Sequence, residues 1–149
     1  MRLAIYQPEI PGNLGAMLRL SACFGVAVDI IEPCGFAFSD KRMKRAAMDY
    51  IDHVTITRHV DWRAFRAAQV GRVLLLSSKA TIRVHDFAFA ADDVLLFGQE
   101  SAGVPDGVRN DCDAALRIPL GIHVRSLNVS VAAGIALGEA LRQTDLLPS

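Results

Sequence analysis

The chain has 149 residues, of which 52% are hydrophobic and 21% are charged, a composition that supports a buried core and excludes a disordered protein. Sixteen basic residues balance sixteen acidic ones, which excludes a uniformly basic nucleic-acid coat and an acidic tail. The length suits one domain, residues 1–149, better than two.

Strands and helices alternate along the sequence. In chain order, we predict a strand at Leu3–Tyr6, a helix at Asn13–Phe24 with Asn13 as N-cap and Gly25 after its end, a strand at Ala27–Ile31, a basic helix from Ser39 or Asp40 to about Met48, a strand at Val54–Thr57, a helix from Asp61 to about Val70, strands at Val73–Ser77 and Val94–Phe97, a short helix or turn after Pro105, a strand at Leu116–Pro119 and a helix at Leu127–Gln143.

The predicted strands Val73–Ser77 and Val94–Phe97 are continuous apolar runs, which indicates burial on both faces. Together with the alternation and the short connections, this favours an α/β fold with a mostly parallel sheet flanked by helices. In such sheets, ligands bind beyond the carboxyl ends of the strands. Three loops at such places are rich in Gly, Pro and polar residues: 7–15, 98–105 and 121–128.

None of these loops carries a widespread catalytic or phosphate-binding motif. G-x-G-x-x-G and G-x-x-x-x-G-K-[ST] are absent, so dinucleotide and P-loop sites are not supported. H-E-x-x-H and G-x-S-x-G are absent as well, which leaves zinc-protease and α/β-hydrolase hypotheses without their core residues.

The three loops, in this order, resemble the three motifs of the SPOUT-class RNA ribose 2′-O-methyltransferases. The first motif is YQPEIPGNLG at 6–15, continuing to Arg19; the second is FGQESAGVP at 97–105; the third comprises RIPL at 117–120 and RSLNVS at 125–130. The resemblance covers nearly the whole chain, and it is strongest to the branch that acts on the tRNA wobble nucleotide.

The resemblance implies a C-terminal trefoil knot, which general topology rules would not suggest. It also implies a homodimer with the active site at the interface, S-adenosylmethionine as cofactor, and methyl transfer to the ribose 2′-OH of nucleotide 34 in the anticodon stem-loop of tRNA. Methylation of another tRNA or rRNA site, and a catalytically idle RNA-binding dimer, are the alternatives.

The cofactor pocket implied by the resemblance involves Leu76, Gly98, Ile118 and Ser126, and the loops around Glu100 and Leu127 would line it. Physical reasoning adds the remaining candidates. Gly98 and Gly103 would let the backbone approach a ligand closely, whereas Leu76, Ile118 and Leu120 would form apolar walls. The glycines could also serve only as turn residues. Ser126 and Asn128 would position cofactor or substrate, or else cap the last helix.

Arg19 is the candidate for chemistry, since the resemblance makes it the catalytic arginine. The guanidinium group is a poor proton acceptor, so we favour a role in orienting the substrate and stabilising the developing alkoxide. An arginine extending from a helix face towards solvent is the structural alternative. Asn13 would position the loop or the substrate, unless it is a plain N-cap.

Charge is unevenly distributed along the chain. Residues 41–72 carry +5, whereas residues 84–116 carry −6 with Arg109 as their only basic residue. Two solvated faces of opposite sign explain this as well as a binding surface does. The candidates for contact with tRNA phosphates are four basic residues of one predicted helix and one residue of the third loop, namely Lys41, Arg42, Lys44, Arg45 and Arg125.

Three cysteines without a C-x-x-C pair predict neither a disulfide framework nor a zinc site, and we expect no metal. They favour a reduced, cytoplasmic compartment. We expect no signal peptide and no membrane span, because no apolar run approaches roughly 20 residues.

Small residues in the last helix, such as Gly134 and Gly138, fit either a close dimer contact or ordinary core packing.

Overall fold

The structure is a computed structural model that describes all 149 residues apart from the side chain of Asp40. Its strands and α-helices are, in chain order, β1 (Arg2–Tyr6), α1 (Pro11–Phe24), β2 (Ala27–Ile31), α2 (Asp40–Ala47), β3 (Ile56–His59), α3 (Trp62–Ala68), β4 (Val73–Leu76), β5 (Ile82–Arg83), β6 (Val94–Phe97), α4 (Asp106–Asp111), β7 (Ala114–Arg117) and α5 (Val129–Gln143). Two 3₁₀ helices, Met48–His53 and Val84–Asp86, lie between them. No helix of the described chain is long and apolar enough to cross a membrane.

The strands form one sheet in the order β3-β2-β1-β6-β4-β7-β5, and every neighbouring pair is parallel. The predicted α/β class with a parallel sheet is therefore confirmed. From β1, the next two strands, β2 and β3, are added on one side of the sheet. The later strand β6 pairs with the other side of β1. The carboxyl ends of β1 and β6 thus meet at a topological switch point, where open α/β sheets bind ligands. The trefoil knot stays a prediction of the resemblance, because strand order does not define how a chain threads.

Both faces of the sheet are covered, which explains why its central strands β4 and β6 are apolar throughout. Leu14, Met17 and Leu18 of α1 pack with Ala136 and Leu137 of α5 in the core on one face. On the other face, Phe65 of α3 and Val108 of α4 pack against buried strand residues. Phe65 is fully buried, and burial of one such side chain contributes on the order of 1.5–3 kcal/mol to stability.

Two predicted strands begin at other residues than expected, and one strand was not predicted. β3 begins at Ile56 rather than Val54, because the preceding residues form a 3₁₀ helix that ends at His53. β7 begins two residues earlier than predicted: backbone and side chain of Asp113 both hydrogen-bond to Val73, and the strand begins at the next residue. The two-residue strand β5 was not predicted, since so short a run carries no periodicity.

Helix α1 also begins earlier than predicted, and Asn13 is not its N-cap. Ile10 holds the N-cap position and Pro11 the first helical position, where a missing N–H costs nothing. The helix ends before Gly25, as predicted. The side chain of Asn13 is therefore free to make other contacts.

Two buried carboxylates bind arginines that lie at the amino ends of strands: Asp93 lies just before β6, and Asp29, the middle residue of β2, binds Arg2 at the start of β1. Asp93 is fully buried before β6, and Arg72 binds it through two hydrogen bonds of 2.8 and 2.7 Å. The N–H of Ala90 donates to the same carboxylate at 2.7 Å. On β2, buried Asp29 accepts two hydrogen bonds from Arg2 and one contact of 2.7 Å from His59. We call the Arg72–Asp93 pair and the Arg2–Asp29 pair the amino-edge clamps.

Candidate active site

A cavity of about 810 Å³ opens at the carboxyl ends of β4, β6 and β7, next to the first turns of α1 and α5. Its volume lies within the range of small-molecule sites, roughly 300–1,000 Å³. The structure brings all nine predicted cofactor-pocket residues to this cavity, namely Leu76, Gly98, Glu100, Gly103, Ile118, Leu120, Ser126, Leu127 and Asn128. Leu76, Ile118 and Leu120 supply the predicted apolar walls.

The loop after β6 is closed on itself. Gln99 and Gly103 exchange two backbone hydrogen bonds of 2.8 and 2.9 Å, and Gly103 has a φ of 66°, which favours glycine. A Cβ on Gly98 would lie 2.6 Å from the backbone of Gly103. Gly98 is therefore required for the loop to close. We predicted that Gly98 lets the backbone approach a ligand closely, but in the structure it lets the backbone of Gly103 approach.

Side chains from three distant parts of the sequence form one polar network at the mouth of the cavity. Asn13 donates to the carboxylate of Glu100 at 3.3 Å, and Asn128 donates to the side-chain oxygen of Asn13 at 3.0 Å. The backbone N–H of Glu9 donates to the other oxygen of Glu100 at 3.2 Å. Asn13 thus links all three motif loops, although it caps no helix.

Asn128 has the capping role that the sequence left open as an alternative. Its side-chain oxygen accepts a hydrogen bond from the N–H of Ser130 at 2.9 Å, so it is the N-cap of α5. Since its amide nitrogen binds Asn13, one side chain both begins the helix and holds the network. Ser126 lines the cavity and is exposed.

Several residues around the cavity were not among the predicted site residues, and three of them are Glu9, Ser77 and Arg109. Glu9 accepts from the hydroxyl of Ser101 at 2.7 Å and braces the second motif loop. Ser77 and Arg109 line the cavity, and the guanidinium of Arg109 donates to the Ser77 hydroxyl at 2.8 Å. The one sequence signal for Arg109 was its isolation as the single basic residue of an acidic segment.

Arg19 does not line the cavity of its own chain. It is exposed on α1, its guanidinium lies 4.9 Å from the ring centroid of Tyr50, and it contacts the sulfur of Met48 at 3.4 Å. The aromatic ring of Tyr50 and the sulfur of Met48 hold the guanidinium of Arg19 where α1 packs against the 3₁₀ helix Met48–His53.

Four of the five predicted RNA-binding residues form an exposed surface on α2, and Arg125 lies in the third motif loop. Ser39 caps this helix by accepting from the N–H of Arg42 at 3.3 Å. Lys44 and Arg45 lie in its last turn, and α2 packs against α1 on the side of the molecule that carries Arg19. The side chains of all five candidates, Lys41, Arg42, Lys44, Arg45 and Arg125, are exposed.

Neither a metal cluster nor an activated thiol is found among the described residues. No group of three His, Cys, Asp or Glu side chains in the described part could hold a metal ion. Burial raises the pKa of the Cys112 thiol to about 11, so this group is protonated and unreactive at neutral pH.

The family model of the SpoU rRNA Methylase family matches residues 1–138. Because the match spans most of the 149 residues, the chain belongs to the SpoU methylase family. The predictions that it is a methyltransferase and that it belongs to an RNA-methylating family are confirmed.

Two relatives match this chain over nearly its full length and theirs. The tRNA (cytidine(34)-2′-O)-methyltransferase of Beijerinckia indica is 55% identical over 97% of this chain and 92% of the relative. A solved structure described as giving insights into the 2-OH methylation of C/U34 on tRNA superimposes with a TM-score of 0.91, at 40% identity, covering 95% of this chain and 94% of that one.

A third relative was solved with its cofactor. The SpoU methyltransferase AviRb from Streptomyces viridochromogenes, in complex with AdoMet, has a TM-score of 0.81 at 26% identity. The match covers 96% of this chain and 57% of that chain.

Proposed function

We propose that residues 1–149 form one methyltransferase domain that transfers a methyl group from S-adenosylmethionine to the ribose 2′-OH of nucleotide 34 of tRNA. The observation that carries the proposal is that three motif loops converge on one cavity through Asn13, Glu100 and Asn128. The 55% identity to a tRNA (cytidine(34)-2′-O)-methyltransferase supports the choice of substrate.

The residues around the cavity fit this cofactor. The cavity has an adequate volume, and Leu76, Ile118 and Leu120 offer apolar surface for an adenine ring. The ends of β4, β6 and β7 would present backbone groups to the edge of that ring. Glu100 offers a carboxylate to a cationic ligand, although it is shared with Asn13 and the backbone of Glu9. When bound, the cofactor supplies an electrophilic methyl group.

The remaining chemistry falls to the protein and the RNA. Methyl transfer to the ribose 2′-oxygen would release the demethylated donor and the hydroxyl proton, which water would accept. Asn13 and Asn128 hold the loops that align the two reactants. Arg19 stabilises the negative charge that develops on the 2′-oxygen, because its guanidinium remains protonated throughout.

We infer a homodimer in which Arg19 reaches the active site of the second copy, because Arg19 does not line its own cavity and the proposed chemistry requires it beside the substrate. Exposed apolar side chains at the start of α5 and in the preceding loop support a covered surface there: Ile122, Val124, Val131 and Ile135. The small residues of α5 support it less, because Ala136 and Ala140 are buried in the chain's own core.

Light scattering at micromolar concentration tests the dimer. We expect about twice the 16.1 kDa mass of the chain, and Ile135→Asp should shift the protein towards the monomer. A monomeric native protein would contradict the proposed assembly.

The tRNA would lie along the basic surface of α2, with the anticodon stem-loop reaching the cavity. Phosphate contacts by Lys41, Arg42, Lys44, Arg45 and Arg125 would orient it without reading its sequence. A tRNA substrate also implies a cytoplasmic location for the enzyme.

Methylation of bulk tRNA, followed by mass mapping of the product, tests the proposal. We expect a single methylated ribose at position 34. Methylation elsewhere would indicate another RNA site, and RNA binding without methyl transfer would indicate an idle RNA-binding protein. Either result would refute the proposed function.

A further inference from the structure

Arg109 is a cation inside the cavity that the reaction described above does not use. It lies in the last turn of α4 and is half-buried, since the neighbouring Val108 anchors the helix to the core. Lys79, the other cationic residue among the described residues that line the cavity, is exposed. Arg109 is therefore the one cation there that is held partly away from water.

The contacts of Arg109 are unusual for a guanidinium in this protein. Its described side-chain partner is the neutral hydroxyl of Ser77, at 2.8 Å. Asp106, one helical turn earlier, lines the same cavity, yet no ion pair within 4.0 Å joins it to Arg109 in the described structure. By contrast, Arg2 and Arg72 each bind a buried carboxylate.

A half-buried guanidinium without a carboxylate partner is a site for an anionic group. Hydrogen bonds between an arginine and a carboxylate are shorter and stronger than those to neutral acceptors, and the planar guanidinium can donate to both oxygens at once. Ser77 fixes one end of the guanidinium, so less side-chain freedom is lost when an anion binds. The enclosed position favours a small ligand over an RNA backbone, for which the exposed surface of α2 is better suited.

We propose that Arg109, oriented by Ser77, binds the α-carboxylate of the methionine part of the methyl donor. The inference rests on the proposed function, because it takes S-adenosylmethionine as the ligand. It makes Arg109 a specificity determinant that distinguishes the intact donor from derivatives that lack the carboxylate.

Calorimetric titration with two ligands that differ only in this group tests the proposal: S-adenosylmethionine and its decarboxylated form. Arg109→Leu should weaken binding of S-adenosylmethionine about 10–100-fold, the range of a charge-assisted hydrogen bond, and should change binding of the decarboxylated form less than about twofold. Ser77→Ala should give a smaller loss, with the same selectivity. Arg142→Leu is the matched control, because Arg142 is exposed and paired with Glu139, and we expect both affinities to be unchanged.

Three outcomes would overturn the assignment. Equal weakening of both ligands by Arg109→Leu would indicate a structural role. Unchanged donor binding with weaker tRNA binding would place Arg109 on the RNA. Failure of the native protein to bind either ligand would overturn the proposed function as well, whereas normal binding without selectivity at Arg109 would leave that function intact.

Discussion

The two ends of the parallel sheet are built from different chemistry. At the amino ends, the amino-edge clamps pair buried carboxylates with arginines, and every oxygen of Asp93 is occupied. At the carboxyl ends, the cavity is lined by glycines, amides and a half-buried arginine without a carboxylate partner among the described residues. Saturated ion pairs thus hold the strands at one end of the sheet, whereas we expect the polar groups at the other end to be available to a ligand.

The largest expected effect is on turnover, and it does not follow the contrast between the two ends of the sheet, because Arg19 lies at neither end. We expect Arg19→Ala to lower turnover by roughly 10²–10³-fold, as for removal of one donor to an oxyanion, with little change in donor affinity. Arg19→Lys should restore little, because a point charge lacks the planar fork. Single-turnover assays at saturating donor and tRNA check this. Normal turnover under those conditions would move Arg19 from catalysis to RNA binding.

At the amino ends, Arg72→Met should lower the free energy of unfolding by about 2–3 kcal/mol. The variant leaves the carboxylate of Asp93 buried with only the N–H of Ala90, although water can reach the half-exposed site and reduce the cost below the 3–5 kcal/mol typical of fully buried pairs. Denaturant unfolding measures it, with Arg142→Met as an exposed ion-pair control that should change little. If the clamps serve stability alone, the folded variant binds the donor normally.

At the carboxyl ends, Asn13→Ala should lower activity and leave stability nearly unchanged. It removes two hydrogen bonds of the network, and we expect kcat/KM to fall about tenfold with little loss of stability, since Asn13 caps no helix. Asp61→Ala is the contrasting control, because Asp61 is the N-cap of α3 and its loss should cost about 1 kcal/mol of stability. A stability loss of that size for Asn13→Ala, without a kinetic effect, would contradict the assignment.

The smallest effect belongs to the basic surface of α2. Lys44→Ala should lower the slope of log affinity against log salt for tRNA by about one, the value for one phosphate contact, and leave donor affinity unchanged. Filter binding at several salt concentrations measures the slope. Arg63→Ala, an exposed arginine on α3, is the control for a non-specific loss of charge. Equal changes for both variants would mean that α2 holds no special place in RNA binding.

The parallel fold and the ring of cavity residues could be predicted because their signals are local. Apolar runs such as Val94–Phe97 define buried strands, and the three loops are recognisable by composition and resemblance. Boundaries were less predictable where local signals were weak: Ala114 and Ala115 have low strand propensity, and Asp113 determines where β7 begins through its hydrogen bonds with Val73.

Contacts between distant residues could not be predicted from the sequence. Asn13 has the composition of an N-cap, yet its partners are Glu100 and Asn128, which lie 87 and 115 residues away. Pro11 begins the helix and so frees Asn13 for these contacts. Likewise, nothing in the sequence around Arg109 indicates that Ser77 lies beside it.

The closed loop between Gln99 and Gly103 has a consequence for redesign of the enzyme towards bulkier alkyl donors. Gly98 admits no side chain, because a Cβ there would meet the backbone of Gly103, so this wall offers a fixed surface to any ligand. Another part of the lining is made of exposed residues such as Ser126 and Leu127, whose side chains are not packed in the core. The third motif loop is therefore a place where substitutions can make room for a larger transferable group without disturbing the closed loop.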